Sequence, residues 1–180
     1  MCAVGEGAIM MDLSATRIWL ATAPPRLVDP EVLAFEVLKV MTLHRARVGT
    51  TPSAGRAGLV GLPTYLWITD PGPTVTGPQT RTATAGAVSV TGTAKVLSMQ
   101  WSLGNGRTIA CATTGTPYHD SFGSRPSPTC GYTYTAPGSY AIGLTTHWRF
   151  EWAGGGQNGS YEFSFTTPTS IRMQEVQALN

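Results

Sequence analysis

Apolar and polar residues alternate with a period of two through most of the second half of the chain. The longest run, residues 140–152, carries large apolar side chains on every second position: Tyr140, Ile142, Leu144, Trp148, Phe150 and Trp152. Because side chains alternate between the two faces of a strand, this pattern predicts a long strand with one buried face. We expect the aromatic face to be core; the alternative is a platform that stacks on sugars.

Shorter segments alternate in the same way and are separated by Gly, Pro and Asn. Residues 97–103 lead into a turn at Gly104-Asn105-Gly106, and the chain then returns, which predicts a hairpin over 97–112. Further strands are predicted at 64–69, 79–85, 87–96, 129–135 and 170–178. About seven short strands at such spacing are typical of an all-β sandwich.

One segment near the N-terminus follows a helical period instead. Asp29 is a favourable N-cap, and Pro30 suits the first helical position. Apolar residues recur at helical spacing at Val32, Phe35, Leu38 (or Val37) and Met41. The pattern predicts a helix over 30–44. We expect it to dock on the sandwich beside the 64–69 strand; contact with another protein or with an upstream part of the chain is the alternative.

The first third of the chain differs from the rest. A short strand is predicted at 16–22, before Pro24-Pro25, and residues 48–63, with four Gly and two Pro, are predicted to form a connector. The expected organisation is an N-terminal segment, 1–63, with one helix, followed by a β-sandwich over 64–180.

Composition and charge narrow the class of protein. Thr occurs 26 times, and charged residues make up 12% of the chain against a typical share of about 25%. The net charge is +2 with no basic run, so no nucleic-acid partner is expected. No apolar stretch approaches the roughly 18 residues that span a bilayer, so we do not expect an integral membrane protein.

The three cysteines are Cys2, Cys111 and Cys130. Cys111 and Cys130 flank a loop rich in Gly, Ser and Pro, and together with the low charge they favour a disulfide and an extracellular or cell-envelope location. The alternative is a pair of buried free thiols in a cytosolic protein.

Residue types with catalytic or metal-binding chemistry are sparse. None of His44, His119 and His147 has a second His or Cys at metal-ligand spacing. His119-Asp120-Ser121 are neighbours in sequence, which seldom converge as a triad, and Glu151 and Glu162 face each other across a predicted hairpin. We expect no catalytic residue, no metal and no cofactor.

The loop 113–128 carries the candidate ligand contacts. Tyr118, His119 and Phe122 lie where core packing does not require them, and loops on a rigid scaffold often carry function. The alternative is that these side chains fold back over the edge of the sandwich.

Two segments resemble a known family. Residues 101–106, with the sequence WSLGNG, resemble the W-D-F-G-D-G turn of PKD domains, and residues 132–140 resemble their H-x-Y-x-x-P-G-x-Y segment. The resemblance implies an Ig-like β-sandwich of the kind found in extracellular proteins. Ser102 and Asn105 replace the usual acidic residues, so the resemblance implies the fold and not an ion site.

A longer resemblance links most of the chain to a group of actinobacterial exported proteins of unknown role. It includes residues 18–22, the helix after Asp29, the segment 58–63 with Trp67, the two Cys that flank the 113–128 loop and the terminal residues 175–179. It implies an upstream region with a signal peptide and a partner for Cys2.

These observations predict a non-enzymatic, exported interaction module that contacts a protein or a glycan at the cell surface. The alternatives are a carbohydrate-binding accessory module of an exported hydrolase and an enzyme with a site across the 113–128 loop.

Overall fold

A computed structural model describes residues 28–175. They form an all-β fold with one short helix as an appendage. The helix α1 is Pro30–Lys39, and the strands are β1 Val48–Thr51, β2 Ala57–Leu59, β3 Pro63–Ile68, β4 Gln79–Ala85, β5 Val88–Ser102, β6 Thr108–Cys111, β7 Gly131–Thr133, β8 Gly138–Gly154 and β9 Gln157–Gln174. The predicted strand at 16–22, Cys2 and the end of the predicted 170–178 strand lie outside the described residues.

The strands form two sheets. The smaller sheet has the order β1-β3-β7, and the larger has the order β2-β9-β8-β5-β4, with β6 paired to the second half of β5. Three long antiparallel strands, β5, β8 and β9, are the frame of the larger sheet. The hairpin predicted over 97–112 is confirmed as the end of β5 and β6.

The buried face of β8 is the predicted one, since Ile142, Leu144, Trp148, Phe150 and Trp152 are all buried. The other face of the larger sheet is polar and open to solvent. Threonine hydroxyls pair across its strands, as at Thr80–Thr93 and Thr82–Thr91, each 2.8 Å apart.

Two layers cover this one apolar face side by side. The smaller sheet covers one half, where Leu66 and Ile68 of β3 pack with Trp101, Leu144 and Ile171. Helix α1 covers the other half, where Leu33, Ala34 and Val37 pack with Val90, Trp148 and Phe150. The helix therefore docks on the sandwich as expected, but on β4, β5, β8 and β9 and not beside β3.

The helix is shorter than predicted and presents a different face. Asp29 accepts the Glu31 N–H at 2.9 Å, which confirms the N-cap, but the helix ends at Lys39 and not at 44. Beyond it, the side chain of Gln79 binds both the N–H and the C=O of Thr42, which replaces the next helical turn. Val32 and Phe35, predicted to be buried, are 58% and 41% exposed.

A bulge in β5 corrects a second expectation. The sequence pattern places Leu97 in phase with Met99 and Trp101, but the register with β8 shifts between Val96 and Ser98. Leu97 is consequently 48% exposed, whereas Trp101 stays in the core.

The segment 48–63, predicted to be a connector, contributes a strand to each sheet. β1 pairs antiparallel with β3, and β2 pairs parallel with the end of β9, with Gly58 opposite Met173. A Cβ at Gly58 would lie 2.8 Å from Cγ of Pro52, so this close approach requires glycine. Residues 48–63 are therefore part of the two sheets and do not form a connector.

A tyrosine links the helix to β9. The phenol of Tyr161 donates a hydrogen bond of 2.6 Å to the Glu31 carboxylate, and its ring lies 4.5 Å from that of Phe35. Because the phenol donates to this carboxylate, the pKa of Tyr161 is raised to about 12. Burial also raises the pKa of Tyr134, whose hydroxyl donates to the Leu103 carbonyl.

We expect Tyr161 to make stability fall in strong alkali. Its folded-state pKa of about 12 exceeds the unfolded value of about 10, so its contribution is complete below about pH 10 and disappears as the pH rises through about 12. Urea unfolding of wild type and Tyr161→Phe across this range should show wild type more stable at pH 8 and the two proteins converging near pH 12. A difference that does not change with pH would contradict this assignment.

Candidate functional site

A disulfide joins the ends of the loop that carries the candidate contacts. Cys111 and Cys130 are bonded, as predicted, with their Cα atoms 5.6 Å apart and both side chains buried. The carbonyl of Cys130 also accepts the Leu66 N–H at 3.1 Å, which ties the loop to β3. The loop 112–129 therefore starts and ends at fixed points on the sandwich.

Close backbone packing fixes the first turn of the loop. Gly115 has a φ of +81°, and a Cβ there would lie 2.1 Å from the Leu66 carbonyl oxygen. The neighbouring Thr114 carbonyl accepts the Ile68 N–H at 2.7 Å. Only glycine suits this position, because the left-handed conformation and the contact with β3 both exclude a side chain.

Tyr65 of β3 holds the middle of the loop. Its ring is stacked on Phe122, with centroids 5.9 Å apart, and meets the edge of Tyr118 at 5.1 Å. Its hydroxyl donates to the Arg125 carbonyl at 2.8 Å. The loop thus folds back over the smaller sheet and is packed on it.

The three candidate contacts have different environments. Phe122 packs between Tyr65 and the guanidinium of Arg125, which lies 5.5 Å from the centre of its ring. His119 is exposed, and its Nδ1 accepts the Ser121 N–H at 3.2 Å, so it caps the short 3-10 turn Asp120–Phe122. Tyr118 is half-buried and lines two cavities. Contact with a ligand stays a prediction for all three.

The first of these, here called the apolar cavity, has a volume of about 410 Å³. It lies between β2, the start of β3 and the loop 112–129, and no charged side chain lines it. Its apolar lining comes from Pro52, Leu59, Leu62, Pro63, Tyr118 and Met173. The two leucines remain 39% and 44% exposed, so they form an apolar rim open to solvent.

Thr64 is one of the residues around the apolar cavity, but its hydroxyl is enclosed in the protein and does not reach the cavity surface. Its side chain is fully buried, yet its hydroxyl has no hydrogen-bond partner. Buried polar side chains in folded proteins are nearly always paired. Thr64 and both rim leucines could not be identified from the sequence, because only the pairing of β2 with β9 and of β3 with β1 brings them together.

A second cavity of about 460 Å³, here called the mixed cavity, adjoins the first. Four residues line both cavities and form the ridge between them: Thr51, Pro52, Ala57 and Tyr118. Trp67, Arg56 and Asp120 line only the mixed cavity, which therefore offers an indole and both signs of charge. The two cavities together are called the Tyr118 groove.

The residues with acid–base chemistry do not form a recognised catalytic arrangement in the described chain. His119 bonds to Ser121 and not to a carboxylate. Glu151 and Glu162 do not face each other as predicted, because Glu162 lies opposite Arg149 and Glu151 lies opposite Ser160. Arg149 is 2.7 Å from Glu162 and 3.7 Å from Glu151. Across residues 28–175, no three His, Cys, Asp or Glu side chains are grouped as metal ligands, and no helix there is long and apolar enough to cross a membrane.

The segments that resemble PKD domains contact each other. The Asn105 side-chain amide donates to the Tyr132 hydroxyl at 3.1 Å, and the buried Tyr134 hydroxyl donates to the Leu103 carbonyl at 2.9 Å. No family model, curated protein or solved structure matches the chain. The PKD-like assignment and the actinobacterial resemblance stay predictions.

Proposed function

We propose that the chain is a non-enzymatic interaction module that works outside the cell or at the cell envelope and binds a protein partner through the Tyr118 groove. One observation carries this proposal: a preformed apolar cavity with an exposed leucine rim beside a loop fixed by a disulfide. Exposed apolar surface around a concave site is typical of recognition surfaces.

The way the groove is built supports binding. Pro52 and Pro63 restrict the backbone of two walls, and the disulfide and Tyr65 hold the loop that supplies Tyr118. A site that is already ordered loses little conformational entropy when a partner binds. The disulfide also supports an oxidising compartment, although an exported location remains part of the proposal.

The mixed cavity favours a second candidate, a carbohydrate-binding accessory module of an exported hydrolase. Trp67 and Tyr118 supply aromatic rings there, and Arg56 and Asp120 supply hydrogen-bonding groups. A protein partner is favoured over a glycan because the adjoining cavity is uncharged and apolar, with leucines and not polar groups at its rim.

An array experiment tests the proposal. We expect the oxidised, labelled full chain to bind a subset of random-sequence peptides, and Tyr118→Ala and Leu62→Asp each to weaken that binding at least about tenfold. Leu62→Asp changes an exposed rim residue and so separates loss of the site from loss of folding. Leu97→Asp is the matched control, because Leu97 is also a half-exposed leucine but lies on the β5 bulge.

Peptide binding that survives both groove variants would overturn the proposed site. A glycan array run beside it decides between the two candidates: binding to glycans alone, lost in Trp67→Ala, would favour the accessory module. Binding to neither array would overturn the interaction function.

A further inference from the structure

We infer that the free edge of β9 is a strand-binding site, and that residues 16–22 of the same chain occupy it as an antiparallel strand. The site lies beside the helix, whereas the Tyr118 groove lies at the other end of β9, near Met173, so the site is separate from the proposed function. Three features support this assignment: the unpaired backbone of β9, a row of half-buried aromatic rings beside it, and the short stretch of chain between residue 22 and the helix.

Most of β9 pairs on one side only. β8 lies along its whole length, whereas β2 pairs only with residues 172–174, so the outer edge of residues 158–166 has no strand partner among residues 28–175. A two-residue turn joins β8 to β9, with Gly154 opposite Gln157, and beyond such a turn hydrogen-bonded pairs alternate with non-bonded pairs. The backbone groups that point away from β8 are therefore those of Asn158, Ser160, Glu162, Ser164 and Thr166.

Aromatic rings along this edge are only half-buried. Tyr161, Phe163 and Phe165 alternate on the face that carries the helix, and Phe35 of the helix, in contact with Tyr161, stays 41% exposed. Phe163 and Phe165 pack inward on the buried Trp148, so the outer sides of the rings form an apolar strip beside the open edge. Contiguous exposed apolar surface of this kind marks a place where another segment docks.

Residues 16–22 have the length and the side chains that this site requires. The sequence pattern predicts a strand over these seven residues, which fit within the free edge of 158–166. Because side chains alternate between the two faces of a strand, Trp19 belongs to one face and Ile18 and Leu20 belong to the other. Whichever face turns toward the helix, at least one large apolar side chain covers the aromatic rings of the edge.

The position of the helix start places the segment close to this edge. Val28 and Pro30 line one cavity with Gly155 and Gln157 of the β8–β9 turn. The described residues thus begin at the Asn158 end of the free edge. A strand held by so short a connection has an effective concentration in the millimolar range, which favours it over a separate molecule of the same chemistry.

The length of the connection also determines the direction of pairing. Six peptide units join Thr22 to Val28 and span at most about 21 Å. A parallel strand would place Thr22 near Ser164, about 20 Å from the Asn158 end, and would require the connection to be fully extended. The antiparallel direction places Thr22 at the Asn158 end and needs only a turn before the helix.

The free edge of β4, on the other side of the helix, is polar. Ala83 packs under the helix, but Arg81 on the same face is exposed, and its guanidinium donates to the Thr80 carbonyl at 3.0 Å. An apolar segment would bury little apolar surface there. β4 therefore serves as an internal control for the edge of β9.

Amide hydrogen exchange of the full chain, measured residue by residue by NMR, distinguishes an occupied edge from a free one. After correction for intrinsic rates, the outward N–H groups of residues 160–164 should exchange at least about tenfold more slowly than the outward ones of β4. The outward groups of β4 are those of Thr80, Thr82 and Thr84, because a two-residue turn also joins β4 to β5.

The double variant Ile18→Pro/Trp19→Pro removes the pairing. Proline has no N–H, and two adjacent prolines remove one that faces β9 in either register. Exchange of the outward β9 groups should rise to the rate of the β4 groups, whereas the N–H groups of Tyr161 and Phe163, which point toward β8, should stay protected and so report an intact fold. Ile9→Pro/Met10→Pro is the matched control, since it makes the same change outside the segment, and should exchange like wild type.

Three results would overturn the inference: rapid exchange of the outward β9 groups in wild type, protection that survives Ile18→Pro/Trp19→Pro, or protection that rises with protein concentration, which would indicate a second copy on the edge. None of them affects the proposed function, which the peptide array tests at the other end of β9.

Discussion

Removing the disulfide should lower the free energy of unfolding by about 3 kcal/mol, the chain-entropy value for a loop of this size. Cys111 and Cys130 lie 19 positions apart in the sequence, and both are buried, so alanine is the replacement that adds no polar atom to the core. Guanidinium unfolding of Cys111→Ala/Cys130→Ala against the oxidised parent measures the loss. Both proteins should carry Cys2→Ala, which removes the third thiol and any mispairing.

The same variant separates the loop from the rest of the fold. Without the disulfide, the loop should still be held by the contacts of Tyr65 with the Arg125 carbonyl and the Phe122 ring. It should nevertheless open more often, whereas the core of the long strands should persist. Hydrogen exchange should rise in 112–129 before it rises in β8. Equal unfolding midpoints for oxidised and reduced parent protein would show that the disulfide adds no stability.

Gly92→Ala should destabilise the protein by about 3 kcal/mol, the upper end of what overpacking a core usually costs. A Cβ at Gly92 would lie 2.3 Å from the ring of Phe150 and 3.1 Å from Cγ1 of Val37. Both side chains are fully buried and cannot move into solvent. Because Gly92 of β5 has no side chain, Val37 of the helix and the ring of Phe150 of β8 can pack side by side above it.

A double-mutant cycle tests this cause. Phe150→Leu removes the ring that the new methyl group meets, so Gly92→Ala should cost at least about 1 kcal/mol less in that background. Gly72→Ala is the control, since a Cβ there meets nothing within 4 Å, and its effect should stay within about 0.5 kcal/mol. Additive effects of Gly92→Ala and Phe150→Leu would show that the ring is not the obstacle.

Period-two alternation predicted the strands well because it depends only on local chemistry. The buried face of β8 follows from its large apolar residues at even positions, and a glycine-rich turn marks its end at Gly154. The bulge that exposes Leu97 was not predictable, because it is a feature of the register between β5 and β8 and leaves no mark in residues 97–103.

For the helix, the sequence pattern did not determine which face is buried or where the helix ends. Its ten residues carry apolar side chains on more than one face, so the stripe of Val32 and Phe35 and that of Leu33 and Val37 were both compatible with the sequence. The face that packs on the sheet is the one with Ala34, whose small side chain lets the helix backbone approach the sheet closely. After the early end at Lys39, the N–H of Thr42 donates to the side chain of Gln79, 37 residues further along the chain, a contact that local periodicity does not indicate.

The candidate site was predicted only at the loop. Tyr118 could be identified because an aromatic residue in a long polar loop has no local reason to be buried. Thr64 and the rim leucines could not, since their role depends on β2 pairing with a strand more than a hundred residues later, Ala57 with Arg172. The glycines and prolines of residues 48–63 led to the prediction of a connector. A flexible linker and a closely packed strand such as β2, where Gly58 meets Pro52, are both rich in glycine, so composition does not distinguish them.

The side-by-side cover on the larger sheet has a consequence for how the protein holds together. β8 and β9 run without interruption from the half under the helix to the half under the smaller sheet, and β5 passes through both with a single bulge. The three long strands are thus common to both halves, and neither half would keep its frame if the other unfolded. We therefore expect the two hydrophobic cores to unfold as one cooperative unit, so that the loss of the helix would also destabilise the half that carries the Tyr118 groove.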